Sequence, residues 1–176
     1  MKLELIEILD NFQKNVLKPC DVLVENLVLE KEGSDYGACS FELKEWKIIF
    51  RVAKITPKKV GQFVTLWKRN SQGQIQPYDI QDEADYFIIY VYNQNRTGQF
   101  VFTKDVLLQQ GILNGNKEGK LGFRVYPSWD VTYNQQAQKT QKWQLEYFLE
   151  NTKKDFQQSG SSETFFEVIN LLTFTF

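Results

Sequence analysis

At 176 residues, 42% of them apolar and 15% aromatic, the chain has the size and apolar content of one compact domain that folds without metal or disulfide support. Histidine is absent and Cys20 and Cys39 are the only cysteines, which excludes zinc fingers, histidine triads and histidine general bases; catalysis would fall to carboxylates, Lys, Tyr, Ser or Thr. The net charge is −1, yet it is segregated: the eight cations Lys44, Lys47, Arg51, Lys54, Lys58, Lys59, Lys68 and Arg69 face Glu45 alone between residues 44 and 69, residues 1–43 are net acidic, and residues 70–95 hold four acids and no cation. A dipolar chain of this kind presents a basic surface to a polyanion while staying near neutral overall.

The opening M-K-L-E-L-I-E-I-L-D carries acids where a signal peptide needs an apolar run, and no stretch of about eighteen apolar residues occurs. A soluble, cytoplasmic protein with reduced cysteines and no membrane association is the expectation. Leu5, Leu9, Phe12 and Val16 recur at helical spacing and predict an amphipathic helix over 3–17, stopped by Lys18-Pro19. Val22 to Glu30 reads as a strand and K-E-G-S-D-Y-G as a loop.

Ala38 to Ile55 reads as two strands joined by a tight turn near Lys44-Glu45, with Thr56-Pro57-Lys58-Lys59 breaking the second. A strand resumes over Gln62 to Lys68, N-S-Q-G-Q-I-Q-P-Y-D is a loop, and Tyr86 to Tyr92 and Gln99 to Phe102 are strands about an N-Q-N-R-T-G turn. Thr103 caps a short helix through Gln110 that ends at Gly111. Leu121 to Tyr126 is a further strand, and Asn134 opens a helix on which Ala137, Gln141, Gln144 and Phe148 share one side. Residues 1–150 form the domain on this reading, and 151–176 a polar linker with an apolar C-terminal extension. The order helix, strands, short helix, strand, helix gives an α+β (mixed α/β) fold rather than an alternating parallel one.

Three features bear on chemistry. Gly115-Asn116-Lys117-Glu118-Gly119-Lys120 looks like a phosphate cradle, but it has three residues between its glycines and Leu121 after the lysine, so an ordinary glycine turn is the better reading. Aromatic residues stand beside cations at Trp67-Lys68-Arg69, Phe123-Arg124-Val125-Tyr126 and Lys142-Trp143, a mixture that suits stacked bases and paired phosphates and equally suits strands alternating core rings with solvated cations. Lys54 shares a strand face with Phe50 and Val52, so it either reaches the rim or meets an anion in a cleft.

The stretch F-R-V-A-K-I-T-P-K-K-V-G-Q-F-V-T-L-W-K-R (50–69), with G-F-R-V-Y-P-S-W-D (122–130) and Q-A-Q-K-T-Q-K-W-Q-L-E-Y-F (136–148), closely resembles the MepB family of bacterial proteins, encoded in some species beside a multidrug efflux pump. The resemblance implies one domain with a central mixed sheet flanked by helices, a fold like that of type II restriction endonucleases, and DNA as partner. On that footing Lys54, Lys58, Lys59, Lys68, Arg69, Arg124 and Lys139 are expected to contact phosphates, Gln62 a phosphate or base edge, and Trp67 or Trp129 to stack. Nucleases of that fold set an acid on one strand and Glu-x-Lys on the next. Glu42 and Lys54 occupy matching places and Val52 does not, so a degenerate site with no bound metal or cofactor is expected. A Mg²⁺-dependent nuclease centred on Glu42 and Lys54, and a protein–protein interaction module, are the alternatives.

Overall fold

The computed structural model describes residues 2–18 and 21–151. The apolar spacing at the N-terminus forms α1 (Lys2–Phe12), which continues as a π-helical turn over Gln13–Leu17. Strand β1 (Val24–Leu29) pairs antiparallel with β2 (Cys39–Leu43), and β2 with β3 (Trp46–Val52) through a turn in which Lys44 adopts φ 56°. β3 runs parallel to β8 (Tyr86–Asn93), which forms a hairpin with β9 (Arg96–Thr103); β11 (Phe148–Glu150) closes the far edge. The result is a mixed six-stranded sheet in the order β1-β2-β3-β8-β9-β11.

Both faces of this sheet are covered, which explains the near-continuous apolar run of Tyr86 to Val91. Phe41, Ile48, Phe50, Ile88 and Tyr90 pack against Leu5, Leu9 and Phe12 of α1 and Val16 of the turn that continues it. Phe87, Ile89, Val91, Phe100 and Phe102 form the opposite core with Val106 and Leu107 of α2 (Lys104–Gln109) and with Val64, Phe123 and Val125 of a second, smaller sheet. Thr103 caps α2 as predicted, its hydroxyl accepting from the Val106 amide. The fold class is therefore α+β in a single domain, as the element order implied.

The smaller sheet has the order β10-β5-β4. It begins where β3 changes sheets. The Ala53 amide still donates to Tyr90 O on β8 (2.9 Å), while β4 (Lys54–Thr56) pairs with β5 (Lys59–Thr65). β10 (Gly122–Val125) lies along the other side of β5, pairing Arg124 with Phe63. Gln62 locks the two sheets together: it is 2% exposed, its Nε2 donates to Tyr92 O (2.9 Å) and its Oε1 accepts from Tyr92 N (3.4 Å).

Three expectations change. The predicted strand Gln62–Lys68 starts earlier and stops at Thr65, and the predicted surface loop closes on itself because β6 (Lys68–Arg69) pairs with β7 (Ile75–Gln76). The helix opened by Asn134, α3 (Gln135–Gln144), ends before Phe148. Phe148 sits instead on β11, its ring 4.7 Å from that of Phe100 and filling the space over Gly98, where a Cβ would come within 2.7 Å of it. A buried aromatic contact and a sheet edge outweigh continuation of a helical pattern. Beyond Asn151 the C-terminal extension lies outside the described residues.

Candidate nucleic-acid interface

Between the smaller sheet and α3 lies an open cleft of about 740 Å³. Its sheet side is formed by Lys58, Lys59 and Phe63 at the β4–β5 hairpin, Arg124 on β10 and Lys120 just before it; its other side by Tyr133, Asn134, Gln136, Thr140 and Trp143 on and before α3. Four cations and no carboxylate line it. Lys139 lines an adjoining depression with Gln110, Gln135 and Gln136. Among the described residues none of these five cations is ion-paired. Arg124 is held in place without being neutralised: its Nη2 donates to the Thr56 hydroxyl (2.8 Å) and its Nη1 to Gly61 O (3.1 Å).

The opposite side of the cleft is positioned by two glutamines. Gln144 is fully buried at the end of α3; its Oε1 accepts from the Tyr126 amide and its Nε2 donates to Arg124 O, both at 2.9 Å. Gln141 Nε2 donates to Pro127 O (3.0 Å) and Asp130 O (2.8 Å). Together they fix the loop between β10 and α3. Tyr126 in that loop packs on Gly61, which has φ +83° and where a Cβ would lie 2.6 Å from the ring, so glycine is required there on two grounds.

The cations of residues 44–69 divide sharply. Arg51 is 2% exposed and donates to Glu30 (2.9 Å), to the carbonyls of Phe50 (2.8 Å) and Cys39 (3.3 Å) and to the Tyr78 hydroxyl (3.2 Å). Lys47 pairs with Glu83, Lys68 with Asp82, and Arg69 grips both oxygens of Glu32. The Arg69 guanidinium holds the Glu32 carboxyl below its ordinary value, chiefly through that hydrogen bond. Much of the local charge excess is thus matched by the acids of residues 30–32 and 82–83, which the fold brings alongside. Lys58 and Lys59 remain exposed at the cleft.

The chain matches the MepB-like family over residues 30–150. It also matches a solved structure, the crystal structure of MepB, at 42% identity and a TM-score of 0.71, over 74% of this chain and 88% of that one. No curated protein matches it. The chain belongs to the MepB-like family.

Within this MepB-like fold the sequence-predicted residues do not all converge. Lys58, Lys59, Arg124 and, beside them, Lys139 share the cleft region. Lys68 and Arg69 face carboxylates elsewhere, and Trp67 lies next to the Arg69 guanidinium (5.9 Å). The Gln62 amide is 2% exposed and turned to the Tyr92 backbone, so burial keeps it from a phosphate or base. Trp129 packs edge-on to Phe148 (5.6 Å) with Arg96 over its ring (4.8 Å), outside the cleft lining. Residues that sequence reasoning passed over include Lys120, set aside with the glycine turn, and Tyr133, which stands 82% exposed beside the α3 cap.

Glu42 and Lys54 do not meet. Glu42 pairs across the sheet with Lys47, seven residues before Lys54, a separation along the strand of roughly 20 Å. Glu42 Oε2 accepts from Asn26 (2.5 Å), while the Lys54 ammonium lies 5.0 Å from the Tyr36 ring centroid in a small pocket with Asp35 and Val52. Asp35, not Glu42, is the carboxylate the fold brings to Lys54. Among the described residues no group of three or more His, Cys, Asp or Glu is arranged to hold a metal ion. None of the described helices is long and apolar enough to cross a membrane.

Proposed function

We propose that this protein binds nucleic acid, DNA in the first instance, through the cleft between its smaller sheet and α3. The observation that carries the reading is the contrast in charge pairing. Lys47, Arg51, Lys68 and Arg69 are each matched by a carboxylate, while Lys58, Lys59, Lys120 and Arg124 converge on one acid-free cleft with no ionic partner among the described residues. Unneutralised cations drawn together on a fold cost mutual repulsion, and a polyanion relieves it by displacing their counterions. The relative's name says nothing of DNA, and the reading rests on this geometry.

Salt titration tests it. A Lys58→Ala/Lys59→Ala/Arg124→Ala variant is expected to lower the slope of log Kobs against log salt by about two to three units, because each lost phosphate contact removes just under one. Lys68→Ala/Arg69→Ala is expected to leave the slope within about half a unit of the parent. Equal slopes for the first variant and the parent, or a larger loss from the second, would refute the assignment. A metal-dependent nuclease is the less supported alternative, since Glu42 and Lys54 stand far apart.

A further inference from the structure

Exposed apolar side chains gather on one strand. β1 stands at an edge of the six-stranded sheet, and among the described residues β2 is the only strand paired with it. Leu27, Val28 and Leu29 are 46%, 58% and 39% exposed there, and Leu23 just before the strand is 64% exposed. An open apolar edge is a template for another strand, which proteins ordinarily blunt. Here the blunting covers one half: Gln13 Oε1 accepts from the Val24 amide (2.8 Å), and Asn26 adopts φ 50° where the register with β2 shifts. The other half is open. The Glu30 amide donates inward to Ala38 O (2.9 Å), so alternation turns the backbone of Leu29, and of Leu27 two residues back, outward. Beside Val28, which pairs with Ser40 on the face away from α1, a shallow groove of about 400 Å³ continues over Ile49 and Ala84.

The same chain carries a strand-like segment with no partner yet assigned. E-T-F-F-E-V-I-N-L-L-T-F-T-F (163–176), outside the described residues, holds eight apolar residues in fourteen, and its Leu172, Phe174 and Phe176 alternate with Thr173 and Thr175 at the strand period. We infer that this segment pairs antiparallel with the outer side of β1 at residues 27–29, adding a seventh strand to the sheet. Direction and reach both fit. The Asn151 amide donates to Thr97 O (2.8 Å) at the start of β9, and strand register puts Thr97 at the same end of the sheet as Leu29. A chain arriving at that end runs against β1. From β11 to β1 is five strand spacings, about 24 Å, and residues 152–163 span up to about 40 Å when extended. The tether gives the segment an effective concentration in the millimolar range, which a free partner or a second copy does not match in dilute solution. Pairing removes apolar area from water on the strand and on the segment together.

Hydrogen exchange read residue by residue on the full chain tests this, comparing the parent with Leu172→Asp/Phe174→Asp and with Leu172→Pro/Thr173→Pro. The first variant charges the apolar face of the segment; the second removes two adjacent amide donors, one of which must face β1. In the parent the Leu27 and Leu29 amides are expected to exchange at least about tenfold more slowly than in either variant, in dilute and concentrated protein alike. The loss of protection is expected to be larger there than at Val91, buried in the sheet centre. Equal exchange at Leu27 and Leu29 in the parent and the aspartate variant would overturn the pairing. So would a loss no greater there than at Val91, or one centred on Lys59–Thr65 or Gly122–Val125 of the smaller sheet. Protection that vanishes on dilution would overturn pairing within one chain and assign the edge to a second copy. Parental protection in the proline variant would overturn strand pairing.

Discussion

Replacing Arg51 by alanine should separate structural charge from binding charge. The Arg51 side chain is 3% exposed and its guanidinium serves Glu30, the Phe50 and Cys39 carbonyls and the Tyr78 hydroxyl. Truncation leaves the two carbonyls and the hydroxyl short of a donor and the Glu30 carboxylate without its cation. Breaking a buried pair by removing one partner costs about 3–5 kcal/mol. Glu30 is 31% exposed and recovers some hydration, which places the expectation near the lower limit, about 3 kcal/mol. For a domain of this size that corresponds to a Tm lowered by roughly 6–12 °C. Urea unfolding with the slope held in common gives the free energy, and salt titration of DNA binding gives the second readout. The salt slope should match the parent's. A loss below about 1 kcal/mol would refute the buried-pair argument, and a flattened slope would show that Arg51 faces the ligand after all.

Gly61→Ala places a methyl 2.6 Å from the Tyr126 ring at a backbone φ of +83°, so a loss of at least about 1 kcal/mol in urea unfolding is expected, together with weaker DNA binding as Tyr126 shifts at the cleft. Burial pushes the Cys39 thiol up from 9.0 to about 12, and burial with Asp85 nearby pushes Tyr86 up from 10.0 to about 12. Above pH 9 the unfolded chain therefore binds fewer protons than the folded one, so stability present below pH 9 should decline as pH rises toward 12. In a Cys20→Ser background a thiol reagent at pH 8 should leave Cys39 unmodified until denaturant is added. Prompt native modification would contradict its burial.

The fold was largely legible because its signals are local. Leu5, Leu9, Phe12 and Val16 record which face of α1 and its π-helical continuation is covered, Thr103 and Gly111 bracket α2, and the paired apolar runs of β8 and β9 follow from period and turn chemistry. Periodicity places Phe148 on a helix because it carries no information about a ring 48 residues away in sequence, at Phe100.

The sequence by itself determined the family, the α+β class, the absence of histidine chemistry and the excess of cations between residues 44 and 69. Tertiary structure decided which of those cations are answered. Charge counted along a chain sums neighbours in sequence, whereas a carboxylate neutralises what lies within a few ångströms in space. Glu30, Glu32, Asp82 and Glu83 are distant in the chain from Arg51, Arg69, Lys68 and Lys47 and beside them in the fold. Arg124 and Lys120, remote from the basic segment, join Lys58 and Lys59 because β10 lies against β5. Strand pairing, not composition, assembled the cleft.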